Sequence, residues 1–163
     1  MNTLEYDTVI VLRPAETVDA RLLWQWDSDI AVRESSFRSD LTTWDEYHGW
    51  FKEKLSDPSF EILIARDREE NPLGRAYLEI PGDHGVINVA VAPEHRGKGH
   101  SPSLIRTATG YAFEKHAIRR VVGYIKGMNP ASIHAFNSAG FKQAGAAVVD
   151  DEDALVYEFR KSA

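Results

Sequence analysis

Apolar and polar residues recur along this chain in short segments that can be read one at a time. Thr8–Leu12 is apolar and β-branched and stops at Arg13-Pro14, which predicts a first strand. From Glu16 to Ile30, Ala20, Leu23, Trp24 and Asp27 follow helical spacing, so a helix is expected. Trp44–Leu55 reads as a second helix, with Thr43 as N-cap and Asp57-Pro58 beyond its end. Phe60–Arg66 and Gly74–Ile80 read as paired strands around the turn Glu70-Asn71-Pro72. Pro81-Gly82-Asp83 is another turn, and the mostly apolar run Val86–Ala92 suits a central strand. Pro102–His116 carries Leu104, Ile105, Ala108, Tyr111 and Ala112 on one helical face. Val121–Ile125 is a strand, and Pro130–Ala139 is a short helix stopped by Gly140. Phe141–Val149 and Ala154–Arg160 form two last strands around the acidic turn Asp150-Asp151-Glu152-Asp153. The order is strand, two helices, three strands, helix, strand, helix, two strands, a mixed α/β chain around one sheet.

At 163 residues, 43% hydrophobic and 27% charged, the chain fits one globular domain spanning 1–163. There is no cysteine. A disulfide framework, a thiolate metal site and a cysteine nucleophile are therefore excluded. No apolar run reaches the ~20 residues of a membrane span, and Met1–Thr8 lacks the marks of a signal peptide. A cytoplasmic protein without a membrane partner is expected. The net charge of −6 argues against nucleic acid as a partner. The charge is uneven, however. Between His95 and Lys142, eight basic residues face one acid, Glu114, for a local charge of +7 that leaves −13 for the rest. Helix faces solvated by Lys and Arg would explain this, as would a site for a phosphorylated ligand.

The run Val89-Ala90-Val91-Ala92-Pro93-Glu94-His95-Arg96-Gly97-Lys98-Gly99-His100-Ser101 joins a strand to a helix. Glycines let backbone N–H groups approach a ligand, and a helix N-terminus offers unpaired N–H groups with a positive dipole end. The P-loop, the dinucleotide glycine pattern and the hydrolase nucleophile elbow are all absent. Here Arg96-x-x-Gly99-x-Ser101 resembles the [QR]-x-x-G-x-[GA] loop of the GNAT N-acetyltransferase superfamily, and Val89–Pro93 looks like that family's fourth strand. Asn129-Pro130-Ala131-Ser132 through Phe136 to Gly140-Phe141 resembles its second motif, N-x-x-[SA]-x-x-x-[YF]-x-x-x-G-F.

The resemblance implies a mostly antiparallel sheet of about seven strands, splayed between the fourth and fifth and flanked by about four helices, and it implies acetyl-CoA as co-substrate. By similarity, backbone groups of Val89, Ala90 and Val91 hold the pantetheine arm. The N–H groups of Gly97, Lys98, Gly99, His100 and Ser101 hold the pyrophosphate, with charge from Arg96 and Lys98. Asn129, Ser132 and Phe136 complete the cofactor side. The family commonly has a tyrosine acid at the position of Phe136, which carries no proton to give; Tyr111 and Tyr124 are substitutes by residue type. Ser101-Pro102 removes one N–H from the cradle.

Many relatives place a base early in the fourth strand, where this chain has Gly85. His84 just before it, Glu79 at the end of the third strand and Asn88 on the strand itself are the candidates. A loop histidine, a solvated strand end and a polar edge residue are their structural readings. The histidines show no metal-ligand spacing, so no metal is expected.

All four tryptophans lie between Trp24 and Trp50, in the part that covers the acceptor site in the family. Trp24, Trp26, Arg33 and Phe37 are the candidate acceptor contacts, with Arg38 as a second cation; core packing and solvated arginines are the alternatives. The segment Leu22–Asp29 through Arg33–Phe37 looks similar to members acting on amino sugars of nucleotide-linked sugars. It is also similar to members acetylating ribosomal-protein N-termini. The expected activity is direct transfer of acetyl from acetyl-CoA to a primary amine of a small molecule, foremost a nucleotide-linked amino sugar. Protein N-terminal acetylation and non-catalytic acyl-CoA sensing remain open, as does a homodimer through the outer strands.

Overall fold

The computed structural model describes residues 9–37 and 41–162. Seven strands run through it: β1 (Val11–Pro14), β2 (Phe60–Arg66), β3 (Pro72–Glu79), β4 (Gly85–Val91), β5 (Arg120–Ile125), β6 (Lys142–Val149) and β7 (Glu152–Arg160). They form one sheet in the order β1-β2-β3-β4-β5-β7-β6. Five helices accompany them: α1 (Ala20–Asp27), α2 (Ile30–Ser35), α3 (Trp44–Leu55), α4 (His100–Lys115) and α5 (Pro130–Ser138). All neighbouring strands are antiparallel except β4 and β5.

The two sheet faces carry separate cores. On one, Ile105 and Ala112 of α4 and Ala135 and Phe136 of α5 pack with Leu78, Ile87, Val121 and Ile125. On the other, Leu23 and Trp26 of α1 and Tyr47 and Phe51 of α3 pack over Ile62 and Ile64. Alternation along β2 explains the division: Leu63 points toward α4 with Ala76 and Ala108, while its neighbours point toward α1 and α3. Leu23, Phe51 and Leu63 have no exposed surface; each such side chain contributes about 1.5–3 kcal/mol by leaving water.

Three expectations need correction. The helix expected over Glu16–Ile30 is a 3-10 turn, Thr17–Asp19, then α1, and then a separate α2. Asp29 breaks it: its carboxylate accepts from the N–H groups of Ala31 and Val32 at 3.0 and 3.3 Å, so it caps a new helix instead of continuing the old one. Among the described residues the α-helices therefore number five. The first strand is shifted to Val11–Pro14; Pro14 is tolerated because β1 lies at the sheet edge, and Thr8 lies outside the described residues. The last turn is also tighter than expected. Glu152 already belongs to β7, leaving Asp150 and Asp151 in left-handed conformations (φ 47° and 64°).

Candidate functional site

The parallel ladder between β4 and β5 is short. Gly85 pairs with Val121 and Val86 with Val122, and there the pairing stops. Beyond it, β4 keeps its other neighbour, β3, as far as Gly74↔Val91. The Ala92 N–H donates to the Leu73 carbonyl at 2.8 Å. Backbone direction alternates along an antiparallel ladder, so Ala90 and Asn88 also turn their backbone groups to β3. Val91 and Val89 turn theirs to the open edge. A cleft of about 720 Å³ occupies this gap, lined by Ile87, Asn88, Val89, Ala90 and Val91 on one side and by Tyr124, Ile125 and Lys126 on the other.

One end of the cleft meets the glycine turn. Gly97 and Gly99 both have left-handed φ, +74° and +76°, and a Cβ on either would point into open space. Gly99 is the N-cap of α4 and offers no side chain to the helix N–H groups. Successive N–H groups in such a turn form a concavity that suits an anion. Arg96 and Ser101 line the cleft, whereas Gly97, Lys98, Gly99 and His100 sit on the turn leading to it. Arg96 also donates to Asp29 Oδ1 at 2.5 Å, and this guanidinium holds the Asp29 carboxyl below its ordinary value. Burial, with His95 and Lys98 close by, lowers the His100 value.

From α5, Asn129, Ser132 and Phe136 reach the cleft lining. Asn129 is also the N-cap of its helix, accepting from the Ser132 N–H at 3.2 Å. Phe136 is nearly buried and meets Phe141 edge-on at 5.0 Å. Its ring is a packing element at the cleft floor.

Beneath Asn88 lies a polar network that the sequence did not single out. Arg75 of β3, 3% exposed, donates through Nε and Nη2 to Asp27 Oδ1 at 2.9 and 2.8 Å. The Tyr77 hydroxyl donates to Asp27 Oδ2 and lies 2.9 Å from the Tyr47 hydroxyl. Burial acts to lower the Arg75 value, but the Asp27 charge and its neighbours outweigh it and raise it. Burial pushes Tyr77 and Tyr47 well up, so both phenols stay protonated. Arg75 Nη1 donates to the Asn88 carbonyl at 3.1 Å and to its Oδ1 at 2.7 Å. Arginine has no acceptor, so the Asn88 amide oxygen must face it, and the amide NH₂ is left for the cleft. A signal was available: Arg75 is the one charged residue among Gly74–Leu78, on the face that α1 and α3 cover.

Several sequence candidates stand elsewhere. Glu79 is an exposed strand end paired with Phe60 and Val86. His84 lies in the turn before β4, its Nδ1 3.1 Å from Asp83, next to the closed end of the ladder. Asn88 is four steps further along the strand, roughly 13 Å away. Of the three catalytic candidates, only Asn88 lines the cleft. Trp26 is 4% exposed within the α1–α3 core. Trp24 donates to the Thr42 carbonyl at 2.8 Å and lines a separate hollow of about 540 Å³ with Leu41 and Pro93. Arg33 donates to the Ser28 carbonyl at 3.2 Å and does not line the cleft. Phe37 lies beside Lys126, 5.7 Å from ring to ammonium. Arg38 lies outside the described residues. Tyr111 donates to Glu61 at 2.8 Å, and burial with this carboxylate pushes its phenol up to about 12. Tyr124 does line the cleft, 37% exposed. At the other end of the cleft, Ala31, Val32, Glu34, Ser35 and Ser36 from α2 and its end face Glu152 of β7.

Comparison with known proteins agrees with this geometry. Residues 10–142 match the family model described as acetyltransferase (GNAT) domain. The chain is 25% identical over 139 residues to spermidine N(1)-acetyltransferase of Vibrio cholerae, covering 83% of this chain and 80% of that one. It is 22% identical over 138 residues to the Escherichia coli K12 spermidine N(1)-acetyltransferase, covering 83% and 74%. The fold superposes on the Vibrio cholerae spermidine N-acetyltransferase in complex with CoA and spermine with a TM-score of 0.84 at 20% identity, over 93% and 95% of the two chains. AAC(6')-Ib in complex with ribostamycin and coenzyme A gives a TM-score of 0.84 at 18% identity, over 93% of each chain.

Proposed function

The chain belongs to the GNAT acetyltransferase family, and on that premise we propose that it transfers acetyl from acetyl-CoA to a primary amine of a small cationic acceptor. The single observation that carries this is the β4–β5 ladder that ends after two residue pairs and opens toward the left-handed Gly97–Gly99 turn. The residues fit such a co-substrate: a strand edge without a neighbour suits an amide-bearing arm, and two glycines with open space suit a diphosphate. Val89–Val91, Arg96–Ser101, Asn129, Ser132 and Phe136 would hold it, and its thioester would supply the acetyl carbonyl that a neutral amine attacks. One sheet running from Val11 to Arg160 supports reading 1–163 as one catalytic domain, and the use of acetyl-CoA supports a cytoplasmic setting.

The chain's own groups then have distinct tasks. The Val89 N–H on the open edge donates to the carbonyl oxygen as negative charge develops there. The Asn88 NH₂, oriented by Arg75, holds a water that takes the ammonium proton. That water passes the proton on to solvent through the open cleft. The Tyr124 hydroxyl gives a proton to the departing thiolate, the task that Phe136 cannot perform.

The acceptor class follows from charge. Glu34, Glu152 and Lys126 line the mouth, Lys126 standing 3.4 Å from Glu152, and Asp150, Asp151 and Asp153 adjoin Glu152 in the chain, so acidic residues outnumber the cation there. A nucleotide-linked amino sugar would bring its diphosphate against these carboxylates; a polyamine or an aminated sugar would bring cations. The relatives named for spermidine support the same reading. A basic N-terminal peptide would also bring a cation, and it serves as a competing acceptor in the test. The outer strand β6, exposed over 142–146, supports pairing of two copies, which sedimentation reads.

Thermal melting with acetyl-CoA, free CoA and ATP tests the cofactor. At 100 times Kd one ligand adds about 2.7 kcal/mol, a rise of roughly 5–10 °C at this length. A thiol-release assay with spermidine, an aminoglycoside, an amino-sugar nucleotide and an N-terminal peptide tests the acceptor. The cysteine-free chain gives no background in it. No melting shift at millimolar acetyl-CoA overturns the cofactor reading, and turnover confined to the nucleotide sugar overturns the cationic acceptor.

A further inference from the structure

Lys126 follows the last residue of β5, on the cleft lining. Its ammonium donates to the Glu34 carbonyl at 3.0 Å, stands 3.4 Å from Glu152 Oε2 and lies 5.7 Å from the centroid of Phe37. A backbone carbonyl, a carboxylate and an aromatic ring are the three groups that best receive an ammonium. They come from the end of α2, the segment just after it and the start of β7, and Glu34 is separated from Lys126 by 92 positions. The Glu34 carbonyl lies in the last turn of α2, where helix carbonyls lack a partner within the helix.

The other end of α2 is held as well. Asp29, its N-cap, receives Arg96 at 2.5 Å. The short helix, six residues long, is thus pinned to the cofactor turn at its start and to β5 and β7 at its end. Resting on the N-acetyltransferase reading, we propose that Lys126 is a positioning residue for the acceptor. By joining the C-terminal end of α2 to β7, it holds the wall against which the amine substrate is placed. The Arg96 pin stays when Lys126 is lost, so only the acceptor end of the wall is released.

Two variants test this. Lys126→Met keeps the stem beside Phe37 and loses the ammonium; Lys126→Arg keeps a cation able to reach both oxygens. With the best acceptor of the panel, K126M raises the acceptor KM about tenfold while kcat and the KM for acetyl-CoA stay within about threefold, the pattern of lost binding shared by ground and transition states. K126R restores the acceptor KM. Hydrogen exchange, which needs no turnover, supplies the second readout. In K126M the amides of Ile30–Phe37 exchange faster, and those of α4 do not change. An unchanged acceptor KM, or unchanged exchange over Ile30–Phe37, overturns the proposal. A parent enzyme that acetylates no amine yet shows the faster exchange on substitution overturns the acceptor reading and leaves the pin in place as a structural one.

Discussion

Gly123 of β5 lies directly under the ring of Phe136: a Cβ built on the glycine would stand 2.5 Å from Phe136 Cε1 and 2.7 Å from Cζ. The ring therefore fills the space beside the strand just past the last β4–β5 pair. Its contacts with Phe141 and Tyr157 hold it there. A residue that packs this closely against backbone is chosen by volume, which accounts for a side chain without a proton at this position.

Gly123→Ala is expected to destabilise the fold by overpacking, by about 1–3 kcal/mol. At this length each kcal/mol lowers the melting temperature by about 2–4 °C. An unchanged melting temperature would show that Phe136 moves aside freely.

Gly99→Asp places a carboxylate in the turn before α4, on a residue type that still adopts left-handed backbone. The expected result is a loss of acetyl-CoA affinity of at least tenfold, read by calorimetry. Gly99→Asn serves as the control, because asparagine matches aspartate in shape and in tolerance of left-handed backbone and adds no charge. Equal losses in both variants would assign the effect to shape and not to anion repulsion.

Asp27→Asn removes the charge that faces the buried Arg75. Breaking one side of a buried pair costs about 3–5 kcal/mol, measured as a lower urea midpoint. Replacing both partners, with Asp27→Leu and Arg75→Met, is expected to cost less than the single change, since no unpaired charge remains. The double variant also loses the group that orients Asn88, so its turnover falls even where its stability recovers.

Asp19 accepts from Arg13 at 2.7 and 2.8 Å and from the Glu16 N–H at 2.7 Å. The Arg13 hydrogen bonds, above all, hold its carboxyl below the ordinary 3.8. A carboxyl depressed in the folded state contributes stability that is present above its unfolded value and lost as pH falls through the folded one. Between about pH 5 and pH 2 the parent's urea midpoint should fall more steeply than that of Asp19→Asn. Parallel slopes would remove Asp19 from the acid response.

Much of this was legible in the chain. Periodicity placed all seven strands, and the two motifs placed the cleft between β4 and β5. Misreadings came where one residue obeyed two local rules. Asp29 falls inside the range of the expected long helix and also caps a new one, and the cap won because its carboxylate meets two N–H groups. Arg75, flanked by Gly74 and Ala76, reads as the outward residue of a strand; only packing of α1 and α3 on that face makes it buried. His84 is close in sequence to the strand that forms the cleft, but the strand's direction puts it at the paired end. Lys126, Glu34 and Glu152 are ordinary surface residues in sequence, and only the fold brings them to one mouth.

The alternation of backbone direction along β4 also leaves an isotopic signature. Asn88 and Ala90 turn their amides to β3, while Val89 and Val91 turn theirs to an edge with no strand opposite. In the protein alone, deuterium should therefore enter this central strand at every second residue, fast and slow by turns, in the middle of an otherwise protected sheet. A ligand that takes the place of the missing strand erases that period. The rhythm of exchange along a single strand thus records whether the gap is filled.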